Sequence, residues 1–261
     1  RIYVERGLGD VVHLAAPTGR AAKRLHESTG HPAKTIHRLL SFNPHKMGFE
    51  FDEKKPLETI LVVIDEASML DVRLAGHLLA AIPPGAGLVL IGDVDQLPSV
   101  GPGNVLRDLI GSGTIPCRRL TRVFRQESTS RIVENAHRIN QGMLPVVQTG
   151  GDETELRDFY FIRRDDPEEA ARTVLELVTE RIPTRFGFDP FTDVQVITPM
   201  HKGEVGTIRL NELLQDALNP RPERFQTLAG KIRPGDKVMQ TVNNYEREVF
   251  NGDIGRVESI D

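Results

Sequence analysis

The sequence has little or none of several residue types, and each shortage excludes a class of protein. Its 261 residues include a single cysteine, Cys117, which excludes a disulfide framework and a cysteine-based zinc site. No apolar stretch approaches the roughly 20 residues that a membrane-spanning helix needs. We therefore expect a cytoplasmic protein, in a reducing compartment, with no membrane partner.

A positive charge excess and a large aromatic content are also missing. The formal net charge is -4, aromatic residues make up 5% of the chain, and tryptophan is absent. A basic balance would have indicated nucleic-acid binding, and many aromatic residues would have favoured base stacking. Any prediction of DNA binding must therefore come from local features.

Four short apolar runs each end abruptly in polar or turn-forming residues, which is typical of strands in a parallel sheet. The runs lie at 11–19, 60–68, 87–99 and 194–203. Helical periodicity predicts the intervening segments: 21–28, 34–40, 71–82, 103–110, 130–140, 168–181 and 206–218. This alternation predicts an α/β fold, in which ligands bind beyond the carboxyl ends of the strands.

The alternation is interrupted in two places. Residues 41–56 contain alternating apolar positions, an Asn-Pro pair and a glycine, which predict an inserted hairpin. Its Phe42, Phe49 and Phe51 either press on a separating base pair or pack the hairpin onto the body, and packing is favoured. After Pro220, short alternating strands and turn pairs such as Asn251-Gly252 predict the start of a small β module.

Asp65 and Glu66 stand side by side directly after the apolar run of residues 60–64. Burying unpaired carboxylates is costly, so both should lie at the strand end and not within the strand. There they suit nucleoside-triphosphate hydrolysis, in which one acid orients magnesium and a second accepts a proton from water. The alternative is that both acids cap the following helix.

The next strand ends in a similar way, with Asp93, Asp95 and Gln96 in "GDVDQLPSVGPG". The neutral amide of Gln96 can both donate and accept hydrogen bonds, which suits contact with a γ-phosphate. The alternative is a polar turn held by glycine and proline. Two neighbouring strands with this ending favour the catalytic interpretation.

A basic helix face follows the first strand. Pro17 and Thr18 end that strand, and Arg20, Lys23 and Arg24 then recur at helical spacing. A helix start with a hydroxyl and free N–H groups can bind phosphate. The alternative is a basic face that is only solvated.

Seven motifs, in this order along the chain, resemble the RecD-like branch of superfamily 1 helicases, the family of the exodeoxyribonuclease V alpha subunit. They are "APTGRAAKRL", "TIHRLL", "VVIDEASML", "LIGDVDQLPSVGPG", "LTRVFRQ", "VITPMHKGEVGTIRLNELLQ" and "GDKVMQTVNNYEREVFNGDIG". The resemblance implies two RecA-like parallel-sheet domains of the P-loop NTPase type and the start of an SH3-like β module. Their expected limits are 1–120, 121–230 and 231–261.

The resemblance also implies roles for individual residues. Asp65 would hold Mg²⁺ through water, Glu66 would be the catalytic base for ATP hydrolysis, and Gln96 would link the γ-phosphate to DNA-contacting loops. Arg125, in "LTRVFRQ", would contact the γ-phosphate from the second domain. The implied DNA-binding residues are Pro17, Thr18, Arg20, Lys23, Thr35, His37, Pro98, Ser99 and Val100. Asn244, Tyr245, Asn251 and Asp253 match a family motif without an assigned role.

One departure from the family is clear: no G-x-x-x-x-G-K-[ST] phosphate loop occurs in the 261 residues. Either the chain is an internal piece of a longer protein or it is a decayed, non-catalytic relative, and we expect the former. The expected function is then an ATP-dependent DNA helicase or translocase, moving 5′ to 3′ by resemblance and acting in recombination or repair. Its expected partners are single-stranded DNA, a DNA fork and the subunits of a nuclease–helicase complex.

Two other functions remain open on the residues alone. A non-catalytic single-stranded-DNA-binding or scaffold subunit of a nuclease–helicase complex would bind DNA whether or not ATP is present. A different ATPase, such as a phosphate-loop signalling switch, would hydrolyse ATP without stimulation by DNA.

Overall fold

The structure, a computed structural model, describes residues 5–120, 130–147, 158–220, 232–244, 247 and 249–260. It contains two compact units: Arg1–Val123 with Gln240–Asp253, and Phe124–Met239 with Ile254–Asp261. The predicted α/β class is confirmed, since the first unit contains a parallel sheet flanked by helices. No helix in the described ranges is long and apolar enough to cross a membrane.

The sheet of the first unit has four strands in the order β2-β1-β5-β6, and every neighbouring pair is parallel. The strands are β1 Val12–Ala16, β2 Ala33–Thr35, β5 Leu61–Ile64 and β6 Gly87–Leu90. Val62 and Ile64, which share one face of β5, are completely buried, whereas Leu61 and Val63 on the other face are half-buried. The register places Ala15 opposite Ile64, and Ile64 opposite Leu90, so three strands end at the same edge of the sheet.

Helices and short turns connect these strands. They are the 3₁₀ turn Gly9–Val11, α1 Gly19–Thr29, α2 Ile36–Leu39, the 3₁₀ turn Ala67–Met69, α3 Val72–Ala81 and α4 Val105–Gly111. Side-chain oxygens of Thr18, Thr35 and Asp71 accept hydrogen bonds from the first-turn N–H groups of α1, α2 and α3. The buried core lies between these helices and the sheet and includes Ile36, Leu40, Ile64, Leu70 and Leu78.

The predicted inserted hairpin is confirmed. Strands β3 Phe42–Asn43 and β4 Gly48–Phe49 pair antiparallel. Phe49 and Phe51 pack against the core of the first unit, which confirms the packing interpretation for these two rings. Met47, at the tip of the hairpin, is 80% exposed and has a left-handed backbone with φ 48°.

The second unit is mainly helical in its described part. Its elements are α5 Arg131–Asn140, α6 Pro167–Glu176, the π-helical segment Leu177–Arg181, α7 Ile182–Phe186 and α8 Thr207–Leu218. Two antiparallel strands, β7 Lys237–Met239 and β8 Ile254–Arg256, form the predicted small β ribbon. The helices predicted at 71–82, 130–140 and 206–218 are found within one residue of those limits.

Two local predictions are wrong. Residues 194–203 form no strand, because no described segment pairs with them in a ladder. The Lys237 Nζ ammonium donates to the Val194 carbonyl, and the Thr198 hydroxyl donates to the Val205 carbonyl. The helix predicted at 34–40 begins only at Ile36, since Ala33–Thr35 pairs with β1 as strand β2. A parallel sheet in the second unit, expected from the family, is therefore not seen in the described residues. The domain limits given above stay predictions.

Candidate nucleotide and nucleic-acid site

The chain segments that follow β1, β5 and β6 lie side by side at one edge of the sheet. The backbone N–H of Asp65 donates to the Ala15 carbonyl at 2.9 Å, and the N–H of Ile91 donates to the Ile64 carbonyl at 2.8 Å. The N–H of Ala67 in turn donates to the Ile91 carbonyl at 2.8 Å. These bonds hold the Asp65-Glu66 pair between the segment that leads into α1 and the segment that leads to Gln96.

Asp65 and Glu66 are half-buried at the end of β5. The Oδ1 atom of Asp65 accepts the N–H of Glu66 at 2.9 Å, which fixes the carboxylate relative to the backbone. Glu66 itself has a left-handed backbone, with φ 52° and ψ 39°. A non-glycine residue pays about 1 kcal/mol or more for that conformation, and such strain concentrates at functional sites.

The alternative that these acids cap the next helix is wrong. Glu66 precedes the 3₁₀ turn Ala67–Met69 without a side-chain capping bond, and Asp71 caps α3 by accepting the Leu74 N–H at 2.8 Å. In the part of the chain that the structure describes, the Glu66 carboxylate has no hydrogen bond or ion pair. This carboxylate is therefore available to a reactant.

The segment after β6 presents Gln96 to solvent. The Oδ1 atom of Asp93 accepts the Asp95 N–H at 2.9 Å, and the Asp93 carbonyl accepts the Gln96 N–H at 3.2 Å, which together form a tight turn. Asp95 forms an exposed ion pair with Arg119 at 3.4 Å. The turn leaves the Gln96 side chain exposed and free of structural hydrogen bonds within the described residues.

The loop that follows Gln96 carries three of the predicted DNA-binding residues, Pro98, Ser99 and Val100. The Ser99 hydroxyl donates to the carbonyls of Gly101 and Gly103, at 3.0 and 3.1 Å. Val100 is fully exposed. A fixed loop that exposes an apolar side chain suits contact with the non-polar parts of a nucleotide.

The basic face predicted after the first strand lies on the exposed side of α1, and the opposite side is buried. Ala22 and Leu25 are buried, whereas Arg20, Lys23 and Arg24 are exposed. Thr18 caps the helix by accepting the Ala21 N–H at 3.2 Å. Pro17 and Thr18 lie at the end of β1, so the helix begins at the same sheet edge as Asp65 and Glu66.

Thr35 and His37 lie one strand further along that edge, since Thr35 of β2 is opposite Ala16 of β1. Thr35 is buried, with 4% of the residue exposed, and its hydroxyl accepts the Arg38 N–H at 3.2 Å. The His37 ring contacts the rings of Phe42 and Phe49, with centroids 5.7 and 5.6 Å away. Both side chains therefore have structural partners, and their contact with DNA stays a prediction.

Burial lowers the pKa of His37, although the negative charge of Asp71 opposes this effect. The unfolded chain therefore binds the proton more readily than the folded chain, and stability falls as the pH drops below the ordinary histidine value of 6.5. We expect His37→Gln to weaken the loss of thermal stability between pH 7.5 and 5.5. Burial also lowers the pKa of His13. The His37→Gln variant should therefore retain part of the loss of stability on acidification.

Thermal unfolding at several pH values measures this effect, and His45→Gln in the exposed hairpin turn is the matched control. The wild-type protein and the control should lose the same stability on acidification. An identical loss in His37→Gln would contradict the assignment.

The acidic residues at the sheet edge suit a metal site that phosphate and water complete. The described residues contain no group of three or more histidine, cysteine or carboxylate side chains that could hold a metal ion on their own. Mg²⁺ is usually held by one or two carboxylates together with phosphate oxygens and water. Asp65, whose Oδ1 atom is fixed by the Glu66 N–H, fits a site of that kind. It does not fit a metal site made of protein ligands alone.

Two predicted residues, Arg125 and Tyr245, lie outside the described residues. Asn244, Asn251 and Asp253 are described, and their hydrogen bonds shape a turn around Phe250 and Gly252. The sequence signal for this turn was the Asn251-Gly252 pair, which predicts a turn but not what it contacts.

Comparisons with known proteins agree with these features. A family model described as an AAA domain matches residues 1–102, and the model of the ATP-dependent RecD-like DNA helicase SH3 domain matches residues 210–261. The ATP-dependent RecD2 DNA helicase of Deinococcus radiodurans is 40% identical over 96% of this chain and 32% of its own length. The RecBCD enzyme subunit RecD of Mycolicibacterium smegmatis is 30% identical over 94% of this chain and 48% of its own length.

A solved structure of the Pif1 helicase from Bacteroides with ADP-AlF3 and ssDNA matches 96% of this chain and 60% of its own chain, with 18% identity and a TM-score of 0.48. The chain spans about a third to a half of the length of the two curated relatives. The two curated relatives and the RecD-like SH3 family model confirm the resemblance that the motifs predict.

Proposed function

We propose, on the premise that this chain belongs to the RecD-like DNA helicases, that it is part of an ATP-dependent helicase that moves along single-stranded DNA. This proposal depends mainly on one observation: Asp65-Glu66, the Gln96 turn and the start of α1 all lie at one edge of the parallel sheet. Because the acidic residues for ATP hydrolysis and the basic residues for DNA binding share one edge, ATP hydrolysis can change the affinity for DNA.

In this proposal Glu66 is the general base that accepts a proton from the water attacking the γ-phosphate. Its carboxylate has no other partner in the described residues, and the left-handed backbone holds it at the strand end. Asp65 would hold Mg²⁺, which when bound would supply charge neutralisation at the phosphate oxygens. Arg125 supplies a guanidinium to the same phosphate by resemblance.

Gln96 connects this chemistry to the DNA-contacting loop. Its exposed amide N–H donates one hydrogen bond to the γ-phosphate, and Pro98, Ser99 and Val100 follow shortly after it in the chain. The DNA backbone lies along the start of α1, where Thr18 and Lys23 contact phosphates. Thr35 and His37 extend the same surface.

The hairpin β3–β4 supports action at a DNA fork. Its base is fixed to the core by Phe49 and Phe51, while its tip exposes Met47. A rigid hairpin with an exposed apolar tip can press against a separating base pair. By the motif resemblance we further propose 5′ to 3′ movement and a role in recombination or repair. We propose association with other subunits because one relative is named as the RecD subunit of the RecBCD enzyme.

The deciding experiment measures ATP turnover by the full chain that carries this sequence, with Mg²⁺, and with and without single-stranded DNA. Strong stimulation by DNA is the expected result. DNA binding without any turnover would replace the proposal with a binding or scaffold subunit. Turnover that DNA does not change would indicate a different ATPase.

We also expect Lys23→Gln to weaken binding of single-stranded DNA and to lower the slope of log Kd against log salt concentration by about 0.7, the value for one phosphate contact on a single strand. Arg172→Gln is the control, since Arg172 is an exposed basic residue of α6 in the other unit. Fluorescence anisotropy across a salt series measures both. If the slope for Lys23→Gln equals that for the control, Lys23 makes no phosphate contact and this helix face is only solvated.

A further inference from the structure

The turn at residues 250–253 lies against the first turn of α1, although the two are far apart in sequence. The Arg20 guanidinium donates from Nη1 to the Gly252 carbonyl at 3.1 Å, across 232 positions of sequence. The Phe250 ring covers Gly19 so closely that a Cβ atom on Gly19 would lie 2.8 Å from the ring Cγ atom and 3.1 Å from Phe250 Cβ. The contact therefore requires glycine at position 19.

The turn is built to make this contact. The Oδ2 atom of Asp253 accepts the Phe250 N–H at 2.8 Å, and the Oδ1 atom of Asn243 accepts the Asn251 N–H at 2.8 Å. Gly252 has φ +92°, a conformation that side chains rarely adopt, and its N–H donates to the Gln240 carbonyl at 2.8 Å. These bonds hold the backbone of residues 250–252 in one turn, called here the docking turn, which carries the Phe250 ring and the Gly252 carbonyl.

We infer that Phe250 and Gly252 of the docking turn are positioning residues for α1 and its contact with nucleic acid. Phe250 limits how the first turn of α1 can shift, because the ring lies directly on its backbone. The Gly252 carbonyl accepts a hydrogen bond from one of the five guanidinium N–H groups of Arg20 and so orders that long side chain. The other N–H groups can bind phosphate. The docking turn thus acts on DNA through the helix.

This inference rests on the proposed function, in which α1 contacts single-stranded DNA. The test compares four forms of the full chain: wild type, Gly19→Ala, Phe250→Ala and the double variant. In Gly19→Ala the new methyl group forces the Phe250 ring away from the helix. We expect the DNA concentration for half-maximal ATPase stimulation to rise about 10-fold, with turnover in the absence of DNA within about twofold of wild type.

In the double variant the methyl group has room, so the double variant should bind DNA as Phe250→Ala does and better than Gly19→Ala. That rescue separates a steric contact from general damage at Gly19. Gly76→Ala in α3 is the matched control, since no atom lies within 4 Å of its added Cβ. Equal DNA dependence of Gly19→Ala and Gly76→Ala, or additive effects in the double variant, would overturn the inference.

Direct DNA binding by fluorescence anisotropy keeps the two proposals distinguishable. If the wild-type chain binds single-stranded DNA without ATP turnover, the proposed function fails, but the same order of affinities among the variants still supports positioning. If the wild-type chain hydrolyses ATP under DNA stimulation and all variants bind DNA equally, positioning alone fails. If the wild-type chain binds no DNA, both fail.

Discussion

Glu66→Gln in the full chain should retain ATP binding while lowering DNA-stimulated ATP hydrolysis by at least ~10²-fold. The amide has nearly the same shape as the carboxylate but cannot accept a proton from water at neutral pH. The left-handed backbone at residue 66, with φ 52°, is kept by the substitution, so the change tests the charge alone. Turnover assays and the affinity for a non-hydrolysable ATP analogue measure the two effects separately.

Glu53→Gln is a suitable control for this result, because Glu53 is exposed beyond the inserted hairpin and undergoes the same chemical change. It should have wild-type turnover. If Glu66→Gln also hydrolyses ATP at a near-normal rate, another group serves as the base, and the unpartnered carboxylate at the end of β5 needs a different explanation. Loss of both binding and hydrolysis would assign Glu66 to nucleotide binding instead.

Gly92→Ala should cost about 1–3 kcal/mol of stability and reduce ATP turnover about 10-fold or more. A Cβ at position 92 would lie 2.8 Å from Leu106 Cδ2, 2.9 Å from the Ser68 backbone nitrogen and 3.1 Å from the Ala67 nitrogen. Backbone atoms cannot rotate away as a side chain can, so the segment after Glu66 must move. That movement separates Glu66 from the Gln96 turn, which follows Gly92 in the chain.

Chemical unfolding and ATP turnover measure the two consequences in parallel. Gly111→Ala at the end of α4 is the control, since its added Cβ meets no atom within 4 Å and alanine favours helix. That control should be as stable as wild type or slightly more so. A Gly92→Ala protein with wild-type stability and turnover would show that the two strand-end segments are not rigidly held together.

Much of the fold of the first unit follows from local sequence. The apolar runs at 60–64 and 87–91 predicted β5 and β6, because short apolar runs bounded by polar residues are typical of strands in a parallel sheet. Asp71 and Ser130 each precede a run with helical periodicity, and each caps the helix expected there. The candidate site followed from one topological rule, since parallel strands place their carboxyl ends at the same edge.

Tertiary contacts decided what local patterns could not. Ala33–Thr35 became a strand because β1 offered a ladder partner, whereas residues 194–203 found none in the described chain. His37 lies among aromatic rings only because the inserted hairpin folds back over it.

The sequence by itself determined strands β5 and β6, the helices capped by Asp71 and Ser130, the two carboxylates at the end of β5 and the basic face of α1, because each depends on residues within one or two turns of each other. The tertiary structure alone decided the left-handed backbone of Glu66 and the docking of Phe250 and Gly252 on Gly19 and Arg20. Those features depend on which distant segments meet, and neither hydrophobic periodicity nor helix capping carries that information.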